Sequence, residues 1–580
     1  MGRMKLRLLL PAVAPLLFAA ACATTEPMGA DPALRGSQDV PFDPGAQTSP
    51  YGLFLAGKAA MNDGRSAEAS AFFDRARAAS IDDSGEFGDR AFVAAILAGD
   101  IPAAGRLAPT GDDSQLVLKR LGALTKVALA IGEGRGKEAQ ALLATGEVGA
   151  PHRAAAALLG PWAAAAAGDK EGAVVRPEVG GDRLVDVFGQ LGQALLFERA
   201  KRYDEAETDY KALIGLGDAG VLFIPDYGGF LERRGRWKEA ADLYATALAK
   251  YPRDEGLQAA AARAKARKGA PALPTVRQGA ARALVAPAAS LVGERAHEMG
   301  LAYLQMALYL DPKRDDARVM LGDVHVAMKN TDAARAAYES IGPKSSQYAT
   351  ARSKLAWTYQ TAKDNETALR MAREGYEAAP TSDEASINYA DLLRANDRYA
   401  ESAKIMDAVI ARAGESPDWR LLYMRGVALE RSDRWPEAER DLEQALKQQP
   451  DEPELLNYLG YSWIDRGERL GEAMDMVRRA VAANPKSGAM IDSLGWAYYR
   501  LGDYRNAVER LEEAVLLEPA DPEINNHLGD AYWRVGRKIE AEFQWNRALG
   551  LEPTEAIRKD VEAKLKSGLP PLKPPAVAAN

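Results

Sequence analysis

Cysteine is all but missing from this chain: Cys22 stands alone among 580 residues, which excludes a disulfide framework and any cysteine-based metal centre. Histidine is nearly as scarce. His152, His297, His325 and His527 are the whole set, and no two lie at metal-ligand spacing. There is no GxSxG elbow, no phosphate-binding glycine loop and no Cys–His arrangement, so the usual nucleophilic machinery has no residues to build on. Basic charge is short too. The formal net charge is −8, with no clustered Lys/Arg stripe, which argues against nucleic acid as a partner. Paired carboxylates such as Glu512–Glu513 and Asp451–Glu452 fall on helix faces or turns, where solvated charge explains them. An active site hidden in residues 85–200 would need a titratable cluster, and that stretch offers Ala, Gly, Leu and one histidine, His152. The expectation is a non-enzymatic protein with no cofactor, no metal and no small-molecule substrate.

What the chain does have is a period. Gly322, Ala356, Ala390, Gly426, Gly460, Gly495 and Gly529 follow one another at intervals of 34, 34, 36, 34, 35 and 34 residues. A second small residue comes twelve or thirteen positions after each: Ala334, Ala368, Ser402, Ala438, Ala473, Ala507 and Ala541. Proline closes many units, at Pro380, Pro450, Pro485, Pro519 and Pro553. Small residues on two successive helices at this interval are the signature of stacked helical hairpins. Ala69, Ala103, Ala139, Ala173, Ala206 and Ala240 carry a fainter version of the same phase upstream. Residues 85–175 are short, Ala-rich segments with Gly-Asp turns and little bulky core, and are expected to be the least stable part. From Ala240 the next in-phase position is Gly300. The intervening Gly269–Pro274 reads as a loop dividing the repeats into two lobes.

Each repeat position has a physical reason. Gly495 and Ala507 let two helix backbones approach, Leu494, Tyr498 and Leu511 fill the space beside them, and Pro519 stops the second helix. Leu528, Gly529, Tyr532, Ala541, Trp545, Ala548 and Pro553 repeat the set. These residues resemble the tetratricopeptide repeat family, closely over 414–553 and more loosely over about 50–553. The resemblance implies an all-α, right-handed superhelical solenoid of about 13 helix-turn-helix repeats in two lobes. In that family the first helices of successive units line a concave groove for extended or helical peptides. Carried over, the groove residues here are Asn457, Tyr461, Asp492, Trp496, Tyr499, Arg500, Asn526, Asp530, Trp533 and Arg534. Trp, Tyr and Arg are the residue types that anchor interfaces. Trp463 and Trp545 sit at positions that pack between helices and read as core.

The amino terminus reads MGRMKLRLLLPAVAPLLFAAACATTEP. Its apolar run, Leu8–Ala21, is too short to span a bilayer and is interrupted by Pro11 and Pro15, so it reads as a signal sequence. Ala19-Ala20-Ala21-Cys22 resembles a bacterial lipobox, which implies lipid attachment at Cys22; an ordinary signal peptide with Cys22 incidental is the alternative. By the same resemblance Ala23, where Asp would favour inner-membrane retention, implies the outer membrane. The domain reading is therefore 1–21 lipoprotein signal peptide, 22–49 disordered tether, 50–252 N-terminal degenerate repeat lobe and 253–281 helix end and linker loop. After these come 282–553 C-terminal repeat lobe, 554–567 capping helix and 568–580 disordered tail. The segments LGYSW, LGWAYYRLGDY and LGDAYWRVGRKIEAEFQW resemble large proteobacterial tetratricopeptide-repeat lipoproteins. That implies a periplasmic adaptor, anchored to the outer membrane by its lipid, which binds protein partners and recruits a protease or other cell-envelope enzyme. An assembly factor for a secretion, pilus or polysaccharide system is the alternative.

Overall fold

The computed structural model describes residues 49–80, 85–111 and 114–570. Cys22, the expected signal sequence and nearly all of the expected tether lie outside them. Among the described residues there are 29 α-helices and no strand. No helix among them is long and apolar enough to cross a membrane. The described residues divide into two compact units, one ending at Ala362 and the other beginning at Lys363.

The 34-residue interval is a steric device. A Cβ built on Gly57, Gly228, Gly322, Gly426, Gly495 or Gly529 would fall 2.2–2.9 Å from the side chain sixteen residues later. Those side chains are Phe73, Tyr244, Tyr338, Leu442, Leu511 and Trp545. In these hairpins the first helix therefore gives up its side chain so that a large residue of the second helix can lie on its backbone. Where the first position is alanine, at Ala390, the residue sixteen on is Met406, a flexible side chain that shares its buried cluster. Gly460 meets Val477, seventeen residues on, at 2.9 Å. The extra residue lies in the intervening turn, where both Gly467 and Arg469 have positive φ, and it accounts for the 35-residue interval.

The turns inside the hairpins keep the same beat. A left-handed residue recurs at 64, 99, 134, 168, 201 and 235, then at 295, 329, 363, 397, 433, 467, 502 and 536. Glycine is the cheapest occupant of that conformation, yet Lys201, Arg295, Lys329, Lys363, Asp397 and Asp433 hold it without being glycine. Past many of these turns an arginine pairs with a glutamate three residues on, as in Arg236–Glu239, Arg398–Glu401, Arg434–Glu437 and Arg537–Glu540. These pairs are solvent-exposed, so they add little to stability.

The first unit departs from the expected layout. The segment 253–281 is not a boundary: Glu255–Ala266 is helical, and after a short loop Val276–Gly293 begins a new hairpin with His297–Leu310. That hairpin packs against the first helices of earlier repeats, Val276–Gly293 on Arg153–Ala167 and Arg183–Arg199, and His297–Leu310 on Gly85–Leu97 and Leu116–Gly132. Gly279 lies under the Trp162 indole, where a Cβ would meet it at 2.1 Å, and Gly132 lies likewise under Tyr309. The Tyr303 hydroxyl and His152 Nδ1 share a buried hydrogen bond of 2.7 Å. Arg282 clamps Asp226 with two bonds of 2.6 and 2.7 Å. The loop is pinned as well, by Arg233 donating to the Pro271 carbonyl at 3.0 Å and Arg199 to that of Pro274 at 2.9 Å. One hydrophobic cluster accordingly runs from Phe92 to Ala337. The Ala-rich repeats of 85–175 have their bulky core after all; Tyr303, Leu304, Met306 and Leu310 bring it from far along the chain.

The second unit is a regular stack. Its hairpins are Asp383–Ala395 with Tyr399–Ala413, Trp419–Glu430 with Trp435–Gln448, Pro453–Arg466 with Leu470–Ala483, Gly488–Arg500 with Tyr504–Leu517, and Pro522–Arg534 with Lys538–Gly550. Helix Glu555–Ser567 closes it against the last hairpin. Trp463 and Trp545 are core, 1% and 0% exposed.

Candidate peptide-binding face of the second unit

In the second unit the first helices Pro453–Arg466, Gly488–Arg500 and Pro522–Arg534 lie side by side, and Glu555–Ser567 continues the row. Residues about one repeat apart therefore meet across this face. Arg534 Nε donates to the Tyr499 hydroxyl at 3.2 Å, and Arg500 donates to the Asp465 carbonyl. Tyr461, two repeats back, donates to Glu523 at 3.0 Å. The Trp496 indole stacks on the His527 ring, with centroids 4.1 Å apart, and on Tyr499 at 4.6 Å. Tyr461, Trp496, Tyr499, Arg500, Trp533 and Arg534 are each part-exposed, so this face offers aromatic and guanidinium groups in one row.

Three of the expected groove residues are buried instead. Asp492, Asn526 and Asp530 are almost wholly covered and spend their polar atoms on neighbours rather than on a ligand. His527 Nδ1 donates to both Asp492 oxygens at 3.0 Å. Lys564, from the closing helix, donates to Asn526 Oδ1 at 3.0 Å and to Asp530 Oδ2 at 2.8 Å. The Trp545 indole N–H donates to the other Asp530 oxygen at 2.9 Å. The closing helix covers Asn526 and Asp530 at that end and His527 of the next repeat lies against Asp492, so the carboxylates there must be paired to be tolerated. Burial opposes a charge on His527, but the Asp492 carboxylate outweighs it and holds the imidazole up at about 9. The stacked Trp496 ring faces that cation. Burial pushes the Tyr499 phenol up to about 12, so it stays neutral while accepting from Arg534.

Two polar atoms on this face are buried without a partner, Asn457 Oδ1 and Trp496 Nε1. An unmet acceptor and an unmet donor in a row of first helices suit a peptide backbone, which carries both. Beside Trp496 is a cleft of about 470 Å³, lined by His527, Asp530, Arg534, Lys564 and residues 567–570. Residues 568–570, expected to be disordered, are held in place: Leu569 packs on the terminal cluster, and the Pro570 carbonyl accepts from Arg534 at 2.9 Å. Residues 571–580 lie outside the described ones. Sequence reading missed His527, Lys564 and Glu523. A signal for the first is present, since His527 stands between the groove position Asn526 and the repeat core position Leu528.

The same row of first helices in the first unit is not free in this way, because the hairpin Val276–Leu310 lies on it.

Models of the tetratricopeptide repeat match residues 191–255 and 423–488, 360–424, and 495–536. The chain is a tetratricopeptide repeat protein. Such repeats are scaffolds for protein–protein interaction. A TPR repeat-containing protein of Pseudomonas aeruginosa is 27% identical over 199 residues, which is 34% of this chain. The match spans 33%, about a third, of that relative's length. Among solved structures, a tetratricopeptide repeat protein of Parabacteroides merdae is 13% identical, covering 43% of this chain and 97% of its own, with a TM-score of 0.38. The Cut9–Hcn1 hetero-tetramer of the APC/C is 14% identical over 90% of this chain and 97% of its own, again with a TM-score of 0.38.

Proposed function

We propose that this tetratricopeptide repeat protein is a non-enzymatic adaptor that holds a protein partner on the first-helix face of its second unit. The observation that carries the reading is the contrast between the two faces. In the first unit the row of first helices is covered by Val276–Leu310; in the second it presents Tyr461, Trp496, Tyr499, Arg500 and Arg534 with Trp496 Nε1 unmet. Aromatic side chains and arginines at the centre of a face are the groups that carry binding energy. The lipobox-like Ala19–Cys22 and the preceding apolar run support an anchor through a lipidated Cys22, with the body in the periplasm facing the outer membrane. The resemblance to proteobacterial lipoproteins of this type supports a cell-envelope protease or hydrolase as the partner class.

Crosslinked capture of the full chain from cell envelopes tests the partner face. Trp496→Ala with Trp533→Ala is expected to lose the captured partner while far-UV circular dichroism stays that of the parent. An unchanged set of partners would remove this face from consideration. For the anchor, incorporation of labelled palmitate is expected to disappear in Cys22→Ala; incorporation that persists contradicts it.

A further inference from the structure

The chain supplies one extended segment to its own proposed partner face. Helix Glu555–Ser567 ends at Gly568, which adopts φ 70° and ψ 179° and turns the chain toward helix Pro522–Arg534. A Cβ on Gly568 would meet Trp533 Cζ2 at 2.2 Å, so the backbone itself lies on the indole. Leu569 packs on the cluster of Leu528, Tyr532 and Trp545. The Pro570 carbonyl then accepts from Arg534 Nη1 at 2.9 Å, while Arg534 Nε is held by the Tyr499 hydroxyl. A backbone stacked on an aromatic, an apolar side chain in the cluster and a carbonyl on a guanidinium make the set of contacts an extended peptide uses. Alongside, the cleft of about 470 Å³ reaches Trp496, whose indole N–H has no acceptor.

We propose that Gly568-Leu569-Pro570 is a ligand held in cis on the Trp533–Arg534 end of this face. A partner segment with an apolar residue followed by proline, in extended form, binds there only by displacing it. Proline suits such a ligand because its fixed φ costs little further ordering on binding. The proposal rests on the second-unit face being the partner site, and adds what holds that site and which peptide chemistry it takes.

The test uses a fluorescein-labelled peptide with the sequence of residues 568–576, Gly-Leu-Pro-Pro-Leu-Lys-Pro-Pro-Ala, read by fluorescence anisotropy. The full chain is compared with a chain ending at Ser567 and with full-length Gly568→Ala, in which the new Cβ pushes the segment off Trp533. Both variants are expected to bind the peptide at least tenfold more tightly than the parent, because a tethered segment competes at roughly millimolar effective concentration. Adding Arg534→Ala to the shortened chain is expected to weaken binding about tenfold, for loss of a charge-assisted hydrogen bond. Equal binding by parent and both variants, or no binding by either variant with its helicity intact, overturns the proposal. If that happens while Trp496→Ala/Trp533→Ala still abolishes partner capture, the face stands and only the cis ligand is wrong. Loss of both results removes the face as well.

Discussion

Gly529→Ala puts the origin of the repeat period to a direct test. In an ordinary helix interior this change stabilises by about 1 kcal/mol, since alanine has the better helix propensity. Here the new Cβ would lie 2.4 Å from Trp545 Cδ1 and 2.5 Å from Nε1, distances at which something must move. Overpacking of a tight core costs about 1–3 kcal/mol. If the indole shifts enough to drop its 2.9 Å bond to the buried Asp530, leaving that acceptor unmet adds about 1–3 kcal/mol. The net expectation is a destabilisation of about 2 kcal/mol, opposite in sign to the propensity effect. Urea unfolding followed by circular dichroism, with hydrogen exchange across Lys538–Gly550, reads it. Gly471→Ala is the control, because nothing lies within 4 Å of its Cβ position, and it is expected to be neutral or stabilising by up to about 1 kcal/mol. Trp545→Met supplies the partner seen beside Ala390, and in a double-mutant cycle with Gly529→Ala a coupling of at least about 1 kcal/mol is expected. Strict additivity, or a stabilising Gly529→Ala, would refute the steric reading of the interval.

Other consequences are open to measurement. Lys201→Gly or Lys329→Gly places glycine in a turn that already has φ near 60° and is expected to raise stability by about 0.5–1 kcal/mol in urea, a loss being the contrary result. The second unit should weaken with rising pH. His527 has its pKa raised from about 6.5 to about 9, so its contribution is complete below 6.5 and is lost as pH climbs through 9. His527→Gln should flatten that part of the stability profile, and an unaltered profile would show that another group titrates. Trp162→Ala should cost the first unit about 3–5 kcal/mol and raise exchange in Val276–Gly293, because Trp162 is the surface on which Gly279 rests. Exchange confined to Arg153–Ala167 would contradict that coupling.

The stack of hairpins was legible because its cause is local and repeated. Gly495 and Leu511, or Gly529 and Trp545, are sixteen residues apart in the chain and touch through one hairpin, so the pattern survives in one dimension. Trp463 and Trp545 were placed in the core by the same logic, and are there. The packing of Val276–Leu310 on helices that begin as early as Gly85 was not legible. It joins residues such as Tyr303 and His152, 151 positions apart, and nothing periodic marks such a pairing. The Pro/Gly loop was therefore read as a lobe boundary, whereas its carbonyls are tied down by Arg199 and Arg233 inside the first unit. On the first-helix face of the second unit, register places Trp496, Tyr499 and Arg534, and all three are part-exposed there. The burial of Asn526 and Asp530 is not legible in the repeat, since it depends on Lys564 reaching across from the closing helix, and that of Asp492 depends on His527 from the next repeat. Repeat position alone says which way a side chain points and not what later covers it.

Site-specific photocrosslinking tests the central claim most directly, that the second unit's first-helix face receives the partner while the first unit's is filled by its own chain. A photoreactive residue replaces Arg500 in one full-length protein and Tyr309, on the hairpin that covers the first unit, in another. After irradiation in cell envelopes, adducts with a partner protein are predicted from position 500 and not from position 309. Adducts from position 309 alone would contradict the account.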